Sequence, residues 1–302
     1  MALRIATFNV KDFFEATDDL SRRRLDAKVA WLAAMVTRLD ADVLGLQEVG
    51  SAAVLAELTK RVEKFSYAEP VVGTADGRGI RNALISRVPI LASGVFTSSL
   101  LDFPRFHASD PPPFGARLPL RRGVVHARVD AGALGQVDVL CAHFKSRHAT
   151  PMTGEDGAPV LPTCERERAE GELRALLWRS AEALFVRGVA DELIASRAGA
   201  KVVMLGDLND TIDSLPVQIV QGKKGEPGRL ASCAEVVPAE RRFSILHNGG
   251  RNHIDHILAS PALRARLRGA AFLNEELREH GHHQDENDAR DSDHAPLVAW
   301  FD

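Results

Sequence analysis

Cysteine is scarce in this 302-residue chain: Cys141, Cys164 and Cys233 are an odd number and share no CxxC spacing. That argues against a disulfide framework and a thiolate zinc cluster, and points to a reducing compartment. Aromatic rings are few, with one Tyr and three Trp, so an extensive base-stacking platform is not expected. Neither sign of charge dominates. A formal net charge of −3 excludes a protein that holds polyanions through total charge alone, while leaving room for a local basic groove. No apolar run approaches the roughly 18 residues of a membrane span. Met1-Ala2-Leu3-Arg4-Ile5 enters a strand pattern without the cationic and apolar regions of a leader, so the expected location is cytoplasmic unless a leader has been removed. Gly/Ser tracts and long charge blocks are missing too, and residues 1–302 are expected to form one domain, acting as a monomer.

What is present is an alternation of short apolar strands with amphipathic helices. Leu3 to Val10 reads as a strand, Leu25, Val29, Leu32, Ala33, Val36 and Leu39 recur at helical spacing, and Asp42 to Val49 is a second strand. Val54, Leu55, Leu58 and Val62 mark another helix. Strands are expected at Ala83 to Ser86, Ile90 to Thr97, Gly123 to Val129 and Gln136 to Phe144, interrupted by a loop at the three prolines of Ser109 to Gly115. Cys164 to Ala198 reads as one long or broken helix with Leu173, Leu176, Leu177, Ala181, Leu184 and Phe185 on its apolar face. Val202 to Leu205, Ile254 to Leu258 and Leu297 to Phe301 are late strands.

Chemistry collects where these strands stop. Asn9 ends the first and Glu48 the second. His143 ends a middle strand, Asp207 and Asn209 follow a later one, Asp255 lies in another, and Asp293-His294 precede the last. Strand ends carrying such groups can converge on one rim. Oxygen-rich donors favour Mg²⁺, with Mn²⁺ or Ca²⁺ as alternatives, over zinc. Singly, each residue has a plain alternative: Glu48 as a solvated strand end, Asn9 and Asn82 as turn residues, His143 as a satisfied core imidazole.

The ordered set Thr7-Phe8-Asn9-Val10, Leu46-Gln47-Glu48-Val49, Arg81-Asn82-Ala83-Leu84, Ala142-His143-Phe144-Lys145, Gly206-Asp207-Leu208-Asn209, His253-Ile254-Asp255-His256 and Ser292-Asp293-His294-Ala295-Pro296 resembles the endonuclease/exonuclease/phosphatase superfamily, in its bacterial nuclease-type members. The resemblance implies an α+β or α/β fold with a two-sheet β-sandwich core flanked by helices on both sides, in four layers (α/β/β/α). It implies that Glu48, Asn9 and Asp293 hold the metal, that His294 is the general base oriented by Asp255, and that Asp207, Asn209 and His143 act on the phosphate. Asn82 would help to hold that phosphate. Lys145 and Arg147, next to the catalytic strand, and Arg122 are candidate contacts to a nucleic-acid backbone. Arg166, Arg168 and Arg174 alternate with glutamates and read instead as a salt-bridged helix face.

The resulting expectation is a metal-dependent phosphodiesterase, a nuclease acting on DNA or RNA without sequence preference. Hydrolysis of lipid headgroups or small phosphorylated molecules is the alternative within enzymes, and a non-catalytic binding relative the alternative outside them. Position 11 departs from the abasic-site endonucleases of the family, which have an acidic residue where this chain has Lys11. His148 to Thr163 is a candidate lid. His280, His282, His283, Asp285, Glu286, Asp288 and Asp291 read either as a solvated loop or as an extra metal site.

Overall fold

A computed structural model describes residues 2–102, 118–280 and 290–302. Strand β1 (Leu3–Phe13) leads through helix α1 (Asp19–Leu39) into β2 (Val43–Val49) and α2 (Ala52–Arg61). β3 (Val71–Val72), β4 (Arg81–Ser86), β5 (Ile90–Phe96), β6 (Val124–Asp130) and β7 (Gln136–His143) follow. A hairpin of β8 (Met152–Thr153) and β9 (Pro159–Val160) precedes α3 (Glu165–Ala195), β10 (Lys201–Asp207), α4 (Leu215–Gln221) and β11 (Ala231–Ser232). A second hairpin, β12 (Ile245–His247) and β13 (Gly250–Asn252), precedes β14 (Asp255–Ala259), α5 (Pro261–Arg264), β15 (Leu267–Phe272) and β16 (Leu297–Phe301).

The strands form two six-stranded sheets, in the orders β15-β16-β1-β2-β4-β3 and β11-β14-β10-β7-β6-β5. Each is mixed. The one parallel pair of the first, β1 with β2, is joined by the α1 crossover, and that of the second, β7 with β10, by α3. Period-2 alternation sorts the side chains. Leu3, Ile5, Val139, Cys141, Val203, Leu205, Ile257, Leu297 and Ala299 fill the space between the sheets. Phe8, Val10, Leu44 and Leu46 face α1 and α2, while Leu140, Val202 and Met204 face α3 and α4. The layers are therefore helix, sheet, sheet, helix.

Local chemistry fixes the ends of these elements. Asp18 caps α1 by accepting from Ser21 N at 2.7 Å, and Ser21 Oγ accepts from Asp18 N in return, a reciprocal box that satisfies otherwise orphaned donors. Sheet separation is set by Gly45, where an added Cβ would stand 2.2 Å from Leu205 Cδ1 of the opposite sheet. In α3 the expected leucine face is corrected. Leu173 and Leu184 are exposed, and the buried stripe runs through Gly171, Ala175, Arg179, Glu182, Val186, Ala190 and Leu193. The buried row places Arg179 and Glu182 against the backbone of Lys145 and Ser146, just past β7, and Val186, Ala190 and Leu193 against Val202 and Met204 of β10. The loop expected at Ser109 to Gly115 lies outside the described residues.

Candidate active site

Strand register brings the acids and imidazoles together. His143 pairs with Asp207 across β7 and β10, and Asp207 with Asp255 across β10 and β14. Paired residues point to the same face, and this face is the inter-sheet one, continuing Cys141, Leu205 and Ile257. On the first sheet, Thr7 and Asn9 prolong the inward face of Leu3 and Ile5, beside Gln47. The interior thus turns from apolar to polar at one rim, with Thr7 Oγ1 donating to Gln47 Oε1 at 3.3 Å and Gln47 Nε2 to Cys141 Sγ at 3.2 Å. Gly206 is required beneath it. Its φ of 140° lies outside the range of ordinary side chains, and a Cβ there would meet Ala142 O at 1.8 Å.

Asp207 Oδ2 is the hub of the rim. Asn9 Nδ2 donates to it at 2.9 Å, His143 Nε2 lies 3.5 Å away and His294 Nε2 3.9 Å away. His294 Nδ1 lies 2.8 Å from Asp255 Oδ2, and its backbone N–H donates to Ser292 Oγ, which itself donates to Asn9 O at 2.7 Å. Asn9 Nδ2 also reaches Glu48 Oε1 at 3.2 Å, and Asp12 N donates to Glu48 Oε2 at 3.0 Å. Asn209 N donates to Asp207 Oδ1, and Asn209 Nδ2 to Phe144 O at 3.0 Å. Lys11, Asp12, Glu48 and Asn209 all have left-handed φ, at 50°, 44°, 64° and 53°. Strain of this kind persists only where surrounding contacts over-determine it, and here it gathers around one site.

The sequence pattern of the Endonuclease/Exonuclease/phosphatase family matches residues 6–294. The chain belongs to this family. It is a metal-dependent phosphoester hydrolase, as the family's members are. Among solved structures, truncated Caenorhabditis elegans TDP2 superposes with a TM-score of 0.60 at 18% identity, covering 99% of this chain and 97% of that one. The Bacteroides thetaiotaomicron mannosyl-6-phosphatase Bt3783 gives 0.61 at 18%, covering 98% of each chain. D. rerio TDP2 complexed with single-strand DNA product gives 0.59 at 18%, covering 100% and 99%. These likenesses establish the fold. Comparison with curated protein sequences gives no significant match.

Burial sets the charge states of this family site. The His143 imidazole is held well below its ordinary value by burial, reinforced by the Arg122 and His294 charges, and is neutral. Burial also opposes protonation of His294, but the Asp255 and Asp207 carboxylates outweigh it and raise its pKa. Asp207 is pushed up by burial and by the Asp255 charge, against the pull of His294 and the Asn9 hydrogen bond.

Two sets of side chains are candidates for holding the divalent metal that the family requires. Glu48, Asn9 and Asp293 offer oxygen atoms suited to a hard cation, and Glu48 is oriented by two hydrogen bonds that leave its carboxylate with spare lone pairs. Asp207, Asp255 and His294 present ligand atoms within 4.8 Å of one another and could also hold an ion. In that second group, however, the Nδ1–Oδ2 contact already engages His294 with Asp255.

The expected substrate contacts divide. Arg147 is half-exposed, paired with Asp210, and lines a cleft of about 780 Å³ that includes His148, Asn209, His247 and Asn252. Lys145 is buried, its ammonium donating to Ser146 O at 3.0 Å and His148 O at 2.8 Å. Arg122 is buried against Asp76, with Nη1 donating to the His143 and Phe144 carbonyls at 3.3 Å. Both side chains are committed to the protein, which corrects the expectation that they track a nucleic-acid backbone. Asn82 is buried, Nδ2 donating to Gly123 O at 3.0 Å, and its Oδ1 has no partner among the described residues.

Sequence reasoning missed the groups that brace the segment after His143. Arg179 donates to Asp210 Oδ2 at 2.9 Å and to the Lys145 and Ser146 carbonyls, and Glu182 Oε2 accepts from Lys145 N at 2.6 Å. Their signal was present as two charges falling in phase with Ala175, Val186 and Ala190. Arg166 and Arg168 form the surface pairs expected of them, with Glu170 and Glu165. The candidate lid contains the β8–β9 hairpin and is tied to α3 by Thr150 N donating to Gly171 O at 2.9 Å. Of the histidine-rich stretch, His280 and Asp291 are in contact at 3.1 Å, while His282, His283, Asp285, Glu286 and Asp288 lie outside the described residues.

Proposed function

We propose that this enzyme is a Mg²⁺-dependent phosphodiesterase that cleaves nucleic-acid backbones without sequence preference. The observation that carries this reading is the array Asp255–His294–Asp207–His143, in which one imidazole is oriented by a buried carboxylate and the other is kept neutral. With His294 Nδ1 engaged by Asp255, Nε2 is the nitrogen that takes the proton of an attacking water. Its raised pKa means that it must first shed a proton, so the rate climbs above neutral pH. His143 Nε2 and Asn209 face the phosphate oxygens and the departing oxygen. Glu48, with Asn9 and Asp293, would hold the metal, which when bound would offset the charge growing on the phosphate. The adjoining cleft gives room for chain on one side of the scissile bond, with Arg147 at its wall.

A second reading, hydrolysis of small phosphorylated molecules, is favoured by the lining of this cleft, where the described residues include no Phe, Tyr or Trp on which bases would stack. The test is a panel of supercoiled plasmid, single-stranded DNA, RNA, bis-p-nitrophenyl phosphate, p-nitrophenyl phosphate and sugar phosphates, with Mg²⁺, Mn²⁺ or chelator. Cleavage of nucleic acid and the diester, abolished by chelator, is expected. Turnover of monoesters alone would replace the nuclease reading by the second one. His143→Ala and Asp207→Ala are each expected to lower diester hydrolysis by about 10²–10³.

A further inference from the structure

Lys11 stands where the pairing of β1 with β2 shifts register between Asn9 and Phe13, and its φ of 50° is one that lysine adopts at a cost. Its backbone N–H donates to Asn9 Oδ1 at 3.0 Å, the amide whose other end binds Glu48 and Asp207. This local geometry sends the side chain across the rim, where the ammonium lies 3.1 Å from Asp293 Oδ2 and 2.6 Å from His280 Nδ1. About a quarter of each side chain in the Lys11–Asp293 pair is exposed, so the pair is partly withdrawn from water.

We propose that Lys11 is a built-in counter-cation of Asp293 that a divalent metal must displace, so that this residue sets the metal affinity of the site. The inference rests on the assignment of Glu48 and Asp293 as metal donors made above. A carboxylate balanced by an ammonium at contact distance attracts a second cation weakly, and the two cations repel each other until one leaves. Lysine suits the role. Its ammonium is compact, strongly hydrated and carried on a flexible four-carbon stem, so it can swing to solvent and return when the metal departs. The nearby Lys28 cannot take its place, because its Nζ is buried and donates to Asp291 O at 3.0 Å.

The test is calorimetric titration of Mn²⁺ into the metal-stripped full chain, comparing wild type with Lys11→Met, Lys11→Arg and Glu48→Gln, and with thermal unfolding of each protein alongside. Lys11→Met is expected to bind Mn²⁺ at least about tenfold more tightly, since repulsion between an ammonium and a divalent ion about 4 Å apart exceeds that factor even at the dielectric of water. Lys11→Arg, which keeps the charge, stays close to wild type. Without metal, Lys11→Met unfolds at a lower temperature, and Mn²⁺ raises that temperature by more than it does for wild type. Unchanged or weaker Mn²⁺ binding by folded Lys11→Met overturns the proposal, as does a variant whose only defect is a raised KM, which would make Lys11 a phosphate contact. Mn²⁺ binding that survives Glu48→Gln at wild-type strength overturns the metal assignment itself.

Discussion

At the scale of single residues, the contact between Asp255 and His294 decides which ring nitrogen is available. The carboxylate stands at the start of β14 and the imidazole in the segment leading into β16, yet they lie 2.8 Å apart. Asp255→Asn removes the negative charge and can also present an N–H to Nδ1, which would leave the proton on Nε2, the nitrogen that has to accept one. We expect kcat to fall by about 10²–10⁴ with Mn²⁺ affinity unchanged, read from steady-state kinetics beside calorimetry. A variant with wild-type kcat would remove Asp255 from the mechanism. Sequence order alone exposed both partners, because each sits beside a strand end in a recognisable string. It did not expose Lys11 as a partner of Asp293, since that contact depends on a left-handed backbone turn that no residue pattern announces.

At the scale of elements, α3 is the part read least well from sequence. Leucines suggested one face, but the helix buries another, where Arg179 and Glu182 hold the segment leaving β7. Removing the buried guanidinium is costly, because the Lys145 and Ser146 carbonyls lose their donor and Asp210 keeps only the more exposed Arg147 as a partner. Arg179→Met is therefore expected to destabilise the fold by about 3–5 kcal/mol. Paired with Asp210→Ala, part of that loss should return. Chemical denaturation of the two single variants and the double variant measures the coupling, and strict additivity would show that the pair does not act as a unit. The buried central strands, by contrast, were legible nearly to their ends, since such a strand is an apolar run stopped by polar residues, whereas β3, β8, β9, β11, β12, β13 and β15 were not read from sequence.

For the whole molecule, buried histidines give stability a sign with pH. His143, His253 and His256 are all held below the ordinary imidazole value, with burial the leading cause in each. Their unfolded forms take up protons as pH falls through about 6.5, and the folded forms do not. Asp207 works in the opposite direction, because its raised pKa lets the folded chain hold a proton that the unfolded one lacks. Each net proton is worth about 1.4 kcal/mol per pH unit, and the three histidines together outweigh Asp207 and Glu182, whose raised pKa opposes them, so stability falls below pH 6.5. His294 adds nothing further there, since its raised pKa contributes stability already complete below 6.5. Urea unfolding at pH 7.5, 6.5 and 5.5 checks this, and flat stability across that interval would refute it. The four-layer order was implied by the family resemblance, while the alternation of strands and helices located only the elements. The sheet pairing that gathers residues from positions 9 to 294 was not, because hydrogen-bond register between distant strands leaves no trace in local composition.

The bonds at the rim have another side. Asn9 to Asp207 runs from the first sheet to the second, and His294 to Asp255 ties the segment leading into β16 to β14, at the end of the sandwich where the apolar filling gives out. Enzymes commonly give up stability to assemble a reactive site, and replacing the reactive groups then makes them sturdier. Here the reactive groups are also rivets across an open seam. Disarming this enzyme should loosen it, so an inactive variant cannot be assumed to be a faithful, merely silent copy of the working protein.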